Sequence, residues 1–205
     1  MKKYIVSFFL CMLSCAVSAQ LNMRDVFAQL PDSVLPLMTK NNRLDCIDFI
    51  ENGMEARVKN LFDDQVVLDS LTEDFLSIRT SDGSYVEMKL FTEGEKNLIC
   101  VNRTYLGPSA DSEVKVYDTS WKYVRAVSRP KLELLLKKAE ELQPWSTEMV
   151  DTLRMVRAEA EVLPLMSAKL CSGSNKIVWT LQSSEYSKEI KKVVGKYLQP
   201  VILDL

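Results

Sequence analysis

The sequence contains no histidine. A Ser-His-Asp triad, a Cys-His dyad and a histidine-ligated metal are therefore excluded within this chain. Glycine is scarce, at six residues in 205, and neither G-x-x-x-x-G-K-[ST] nor G-x-G-x-x-G occurs. The common phosphate-cradling loops are thus missing. Neither sign of charge dominates: 26 basic and 28 acidic side chains leave a formal −2. That balance gives no electrostatic reason to expect nucleic acid as a partner. Long disordered or low-complexity stretches are absent too, and a hydrophobic content of 47% is that of a chain able to build a core.

One long apolar run is present, and it stands at the start. Lys2 and Lys3 precede residues 4–17, which include Ile5, Val6, Phe8, Phe9, Leu10, Met12 and Leu13. Val17-Ser18-Ala19 then supplies small residues. A basic start, an apolar stretch too short for the roughly 20 residues of a membrane span, and a small-residue site describe a secretory signal peptide. Cleavage is expected between Ala19 and Gln20, with the product in the periplasm or cell envelope, or secreted. Lipidation at Cys15, behind Met12-Leu13-Ser14, is the alternative. No later segment is apolar enough to span a bilayer.

Removing residues 1–19 leaves Cys46, Cys100 and Cys171. An odd number means one disulfide and a free thiol, or three buried thiols. Each lies inside a patterned apolar segment, which favours buried thiols. Three cysteines without histidine make a poor zinc site. No metal or cofactor is expected.

Along the remaining chain, Met23, Val26, Phe27 and Leu30 recur at helical spacing before Pro31. Leu44, Ile47, Ile50 and Met54 predict a second helix, capped by Asn41 or Asn42 and stopped at Gly53. From about Glu55 the period becomes two. Asp82-Gly83 reads as a hairpin turn, and Val86, Met88 and Leu90 mark an even apolar face opposite Tyr85, Glu87, Lys89 and Phe91. Glu93-Gly94 and Gly107-Pro108 punctuate further strands. Five or six antiparallel strands are expected between residues 55 and 124. Pro130 then opens a helix with Leu132, Leu135, Leu136, Ala139 and Leu142 on one stripe. Met149, Leu153, Val156, Ala160 and Leu163 predict another. A hairpin turns at Ser172-Gly173-Ser174-Asn175, a helix carries Ile190, Val193, Val194 and Tyr197, and Val201-Ile202-Leu203 closes as a strand. Segregated helices and strands make the fold class α+β, built on an antiparallel meander. Residues 20–205 form one domain on this reading, with 125–147 as the one plausible internal boundary. Val34-Leu35-Pro36-Leu37-Met38 recurs as Val162-Leu163-Pro164-Leu165-Met166, but the flanks do not follow, so no duplication is inferred.

Candidate chemistry is thin. Ser112-Glu113-Val114-Lys115 matches S-x-x-K, yet the segment alternates like a strand and no K-T-G accompanies it. The exposed polar face of an edge strand is the expected reading. Asp63-Asp64 and Glu73-Asp74 are the obvious carboxylate pairs, both in turns where Asp is favoured for backbone reasons. Trp121, Trp145 and Trp179 are expected to pack at a core or its rim, although the first two lie near element ends.

The stretch Leu30-Pro31-Asp32-Ser33-Val34-Leu35-Pro36-Leu37-Met38-Thr39-Lys40-Asn41-Asn42-Arg43-Leu44-Asp45-Cys46-Ile47-Asp48-Phe49 resembles the opening of an exported Bacteroidales family catalogued as domain of unknown function 3256. Gly107-Pro108-Ser109-Ala110-Asp111-Ser112, followed by Tyr117-Asp118-Thr119-Ser120-Trp121, is similar to the same family. The resemblance covers nearly all of the chain after the leader. It implies no activity, cofactor or catalytic residue. It does imply one modification, because Bacteroidales attach O-glycans to exported proteins at Asp-Ser/Thr followed by an apolar residue. Ser33, Ser70 and Thr152 stand in that context, which is also ordinary turn and cap chemistry.

These observations favour an exported, non-enzymatic module that binds a protein or an envelope component. A hydrolase using carboxylates or a Ser-Lys pair is the alternative, and a carrier of an apolar ligand the third. No residue is named as catalytic.

Overall fold

The computed structural model describes residues 21–135, 147–162, 165–182, 188, 191 and 198–205. Helix α1 is Met23–Ala28 and α2 is Lys40–Glu51. A seven-stranded antiparallel meander follows in strict neighbour order. Its strands are β1 (Arg57–Lys59), β2 (Gln65–Leu71), β3 (Phe75–Ser81), β4 (Ser84–Glu93), β5 (Lys96–Leu106), β6 (Ala110–Asp118) and β7 (Tyr123–Ala126). Helix α3 is Thr147–Val162. Strands β8 (Met166–Leu170), β9 (Lys176–Leu181) and β10 (Val201–Asp204) form a second antiparallel sheet in the order β10-β9-β8. The fold is mixed, and its meander has seven strands where five or six were expected. The extra one is β7, a short edge piece of which three of four residues are exposed.

Local chemistry explains most boundaries. Asn22 caps α1 by accepting from Asp25 N at 2.8 Å. For α2 the cap is Thr39, not Asn41 or Asn42. Thr39 accepts from Asn42 N and Asn42 returns the bond to Thr39 N, each at 3.2 Å. The helix therefore begins at Lys40, and Asn42 serves as the third-position partner of a capping box. Gly53, at φ +68°, ends α2 in the left-handed region that a side chain resists. Asp82-Gly83 and Gly94 turn β3 into β4 and β4 into β5, as their turn chemistry requires. Of the last predicted helix only Lys188 and Lys191 are described, both helical and exposed, while Ile190, Val193, Val194 and Tyr197 lie outside the described residues, as does most of the stripe that begins at Leu132; Leu132 and Leu135 themselves are buried.

Two cores share one sheet. Counting the described residues alone, the first holds 19 buried residues, from α1, the following turns, α2 and one face of β2–β5. The second holds 18, from the opposite face of β3–β6, Leu132, Leu135, Leu153, Val156, Leu198 and the three-stranded sheet. Alternation along β5 makes the division plain. Ile99 and Val101 point to the helices, while Leu98 and Cys100 point to the small sheet. Central strands covered on both faces read as continuous burial, and residues 86–91 and 98–102 are all buried. The even apolar face of β4 is thus correct, but its odd face is not wet. Glu87 is 4% exposed and Lys89 1%.

Candidate functional site

Burying Glu87 and Lys89 requires partners, because an unpaired buried charge is costly. The free edge of β8 provides them. Strand β8 gives one edge to β9 and lays the other across the face of the large sheet. There Asp111 Oδ1 accepts from Met166 N (3.2 Å), Ser112 Oγ from Ala168 N (2.8 Å) and Glu87 Oε2 from Leu170 N (2.8 Å). Asn102 Nδ2 donates to Ala168 O (2.8 Å) and to Glu87 Oε2 (3.1 Å). Lys89 Nζ donates to Ser172 O (2.8 Å) and to Asp74 Oδ2 (2.6 Å). Side chains thus replace a neighbouring strand along this edge. Ala168 O can only accept, so it fixes the orientation of the Asn102 amide. Among the described residues, Asn102 Oδ1 and Trp179 Nε1 have no partner. Burial raises the Glu87 carboxyl above the ordinary 4.5, opposed by its bonds to Leu170 N–H and Asn102 and by Lys169.

Ser112 belongs to this seam and is 1% exposed, with Thr104 Oγ1 at 2.7 Å. Strand β6 is not an edge, so the expected exposed face is corrected to a buried one. Lys115 lies three residues on, hence on the opposite face, and pairs with Glu113 at 2.8 Å. The S-x-x-K match joins no two groups.

The segments that carry the family resemblance do structural work. Arg43, 2% exposed, reaches back from α2 to the turns after α1. It donates to Leu30 O (2.7 Å), Met38 O (2.9 Å) and Asp32 Oδ1 (3.0 Å). Arg103 on β5 also donates to Val34 O. Around the β6–β7 turn, Asp118 Oδ1 accepts from Ser120 N (2.9 Å) and Lys122 N (3.0 Å). That turn holds Trp121 at φ +63°, a conformation a bulky residue rarely adopts. Its ring lies 5.8 Å from Tyr117, which in turn lies 6.2 Å from Tyr123.

The concave surface is elsewhere. A groove of ≈ 960 Å³, open to solvent, lies where α1, the last turn of α2, the β2–β3 turn and the adjoining ends of β4 and β5 meet. Leu21, Ile50 and Leu71 give it apolar surface, the buried Leu90 and Phe91 adjoin it at the end of β4, and Asn22, Arg24, Glu51, Thr72, Glu73, Asp74, Thr92 and Asn97 make the rest of its lining polar. The rim is rigid. Thr72 N donates to Phe75 O (2.8 Å), Leu90 N to Asp74 O (2.7 Å) and Met23 N to Glu73 O (2.7 Å). Its charges are mostly spent internally. Arg24 Nε pairs with Glu51 at 2.6 Å, which lifts the guanidinium pKa further, and Asp74 pairs with Lys89. The Glu73 carboxylate has no partner among the described residues. Sequence reasoning named Glu73-Asp74 as a carboxylate pair but did not foresee the groove, because Leu71, Leu90 and Ile50 come from three separate elements.

The remaining candidates scatter. Asp63-Asp64 sits in the β1–β2 turn and Glu73-Asp74 in the β2–β3 turn, at opposite ends of β2. A strand of that length separates them by roughly 20 Å, against the roughly 5–10 Å that paired carboxylates need to cleave a glycoside. Trp121 is half-buried and Trp179 is 1% exposed, while Trp145 lies outside the described residues. Cys46, Cys100 and Cys171 are free thiols. Cys46 and Cys100 are buried, with burial pushing each thiol up to about 12, and Cys171 is half-buried. Ser33 is exposed in a turn, Ser70 is half-buried opposite Ser77 at a bulge of β2, and Thr152 is half-buried in α3. Ala19, Gln20 and Cys15 lie outside the described residues. The repeated V-L-P-L-M stretches differ in structure: the first forms turns, and the second runs from the end of α3 at Val162 to β8 at Met166. Among the described residues, no helix is long and apolar enough to cross a membrane. Nor do any of them group three or more Cys, Asp or Glu in a way that could hold a metal.

A family model described as "Protein of unknown function (DUF3256)" matches residues 14–203. A solved structure, that of a domain of an uncharacterized protein from Porphyromonas gingivalis W83, is similar in fold. It superposes with a TM-score of 0.66 at 21% identity, over 89% of this chain and 92% of that one. No curated protein matches the chain significantly.

Proposed function

The chain belongs to the family described as Protein of unknown function (DUF3256), and from that premise we propose that it is an exported binding module of the cell envelope. The observation that carries this reading is the groove: concave, lined by a mixture of polar and apolar residues, with backbone hydrogen bonds at its rim. A preformed site of mixed lining suits recognition. Lys2-Lys3, the apolar run of residues 4–17 and Val17-Ser18-Ala19 support export, with cleavage before Gln20 and the remaining chain folding as one domain. Its partner is a protein or another envelope component. The hydrolase alternative gains nothing from Asp63-Asp64 and Glu73-Asp74, which stand at opposite ends of β2. Among the described residues, apolar side chains of two cores pack against both faces of the meander, which lends the carrier reading no support. Ser33 is the hydroxyl we expect to carry a sugar in the native host, since it alone of the three is exposed in a turn.

The test is intact-mass spectrometry of protein from its own host, with a photo-crosslinker placed at Asn97 on the groove rim. A chain beginning at Gln20 in the envelope fraction, giving one discrete crosslinked species, is expected. A chain that keeps residues 1–19 and stays in the cytosol overturns export. Crosslinking that Thr92→Trp, which fills the groove, leaves undiminished overturns the groove as the binding site.

A further inference from the structure

We propose that Glu87 and Asn102 form a proton-dependent clasp on the edge of β8: Glu87, as a neutral acid, donates from Oε1 to Asn102 Oδ1, and loss of that proton to water loosens β8 from the meander. Asn102 is fully buried, and its Oδ1 has no partner among the described residues. A buried acceptor is costly unless something donates to it. Turning the amide over offers no escape. Nδ2 would leave Ala168 O, now 2.8 Å away, and oxygen would face oxygen. The donor must come from outside the amide, and Glu87 stands in place. The two residues are direct cross-strand partners on β4 and β5, and Nδ2 already donates to Glu87 Oε2 at 3.1 Å. A primary amide and a carboxylic acid can pair through two parallel hydrogen bonds, N–H to oxygen and O–H to oxygen. One of the two is present. The second needs a proton on Oε1, which has no hydrogen-bond partner among the described residues.

The bonds that Oε2 accepts, from Leu170 N at 2.8 Å and from Asn102, survive protonation, because a carbonyl oxygen has two lone pairs. Ionisation reverses the balance. A carboxylate then faces the lone pairs of Oδ1, and the amide either stays under repulsion or turns and abandons Ala168 O. Either way β8 loses hold of the meander. Neighbouring charges do not replace the proton. On β4, Lys89 gives Nζ to Asp74 and Ser172 O, and the half-buried Tyr85 lies two residues before Glu87. On β5, burial keeps Cys100 a neutral thiol. On β3, Ser77 stands opposite Glu87, and Arg79 pairs with Asp69 at 3.7 Å. On β6, Asp111 is paired with Arg129 at 2.8 Å. On β8, the exposed Lys169 acts on Glu87 through its charge and opposes the proton. Burial outweighs it and lifts the carboxyl above the ordinary 4.5.

The test is backbone amide exchange of the full chain, read residue by residue by nuclear magnetic resonance and corrected for the intrinsic pH dependence of exchange. The Glu87 carboxyl carbon is titrated in the same sample. It is expected to titrate above 4.5, with protection of Ala168 and Leu170 falling across the same range. The fall should approach about tenfold for each pH unit between the carboxyl midpoint and 4.5. Successive residues of a strand send their N–H groups to opposite edges, so Lys169 N–H faces β9 and should change by less than about twofold. Glu87→Gln sets an amide nitrogen where the acid hydroxyl stood, a donor to Asn102 Oδ1 at every pH, so protection at Ala168 and Leu170 should stay level. A carboxyl midpoint at or below 4.5 overturns the neutral acid. Level protection in the natural chain overturns the clasp, whether or not the variant folds. An equal fall at Lys169 makes the loss global and overturns local release. A fall that persists in Glu87→Gln assigns the pH dependence to another group and overturns the clasp as well.

Discussion

Arg43 and Glu87 carry charge into the interior by different means, and each makes a different prediction. Arg43 spends its guanidinium mainly on two backbone carbonyls, Leu30 O and Met38 O, while its acidic partner Asp32 is 74% exposed. The carbonyls, not the ion pair, are then what the residue secures. Arg43→Met keeps the aliphatic stem but leaves both carbonyls without their donor. It should cost about 2–4 kcal/mol in urea unfolding. Asp32→Asn should cost less than about 1 kcal/mol, since water already screens that carboxylate. Equal losses would show that the ion pair holds these turns. Glu87 behaves unusually for a carboxylate. Its folded pKa is raised by burial, so the folded protein holds its proton to higher pH than the unfolded chain does. The stability it contributes is fully present below the ordinary 4.5 and is lost as pH rises through the raised value. Glu87→Gln keeps an oxygen to accept from Leu170 N–H and Asn102 and removes the buried charge. The variant should match or exceed the natural chain at pH 7, and its urea midpoint should no longer fall as pH rises above 4.5. A variant weaker at every pH would sink this account.

At the scale of elements, turns carry the register, and one of them also displays apolar surface. Asn60, 7% exposed, accepts from Phe62 N (2.8 Å) and Asp64 N (3.1 Å) and donates to Thr80 O (3.2 Å). It builds the β1–β2 turn and ties it to the end of β3. The same turn leaves Leu61 at 62% and Phe62 at 74% exposure. Asn60→Ala should therefore cost about 1–2 kcal/mol, with water recovering part of the loss. Leu61→Ser with Phe62→Ser should stay within about 0.5 kcal/mol, because exposed side chains add little to folding. Chemical unfolding of the two variants checks the contrast. Punctuation of this kind was legible beforehand: Asp82-Gly83, Gly53 and the Ser172–Asn175 turn all name their positions through backbone preference. The α2 cap was misplaced because Thr39, Asn41 and Asn42 can all cap, and geometry alone chooses among them. The cover over Glu87 and Lys89 was not legible, for a deeper reason. A period of two says which residues share a face, but not what covers that face. The cover for Glu87 comes from Leu170, 83 residues away. Tyr85 and Phe91 on the same odd face were the one local hint.

For the whole molecule the decisive feature is that β3, β4 and β5 serve two cores at once. The helices cover one face of the meander, and the three-stranded sheet covers part of the other. Each central strand therefore loses the cover of one face if either layer leaves. Detaching the small sheet would expose Phe75, Phe91, Leu98, Cys100, Val114 and Val116. It would also strand Glu87, Lys89, Asn102 and Ser112 without their partners on β8 and its turn. Fully burying one large aliphatic or aromatic side chain is worth about 1.5–3 kcal/mol. Exposing six such side chains, about 9–18 kcal/mol before the released chain entropy is counted, is comparable with the roughly 5–15 kcal/mol that holds a typical domain together. No stable half-folded state should exist, and both cores should melt together. Trp121 packs against the first core and Trp179 lies within the second, so each reports on one side. Two variants, each keeping one of these two tryptophans and carrying Phe at the other two positions, should give coincident urea midpoints, matching far-ultraviolet circular dichroism. A Trp179 transition at lower urea than that of Trp121 would make the C-terminal sheet a separate folding unit and place a boundary within residues 125–147.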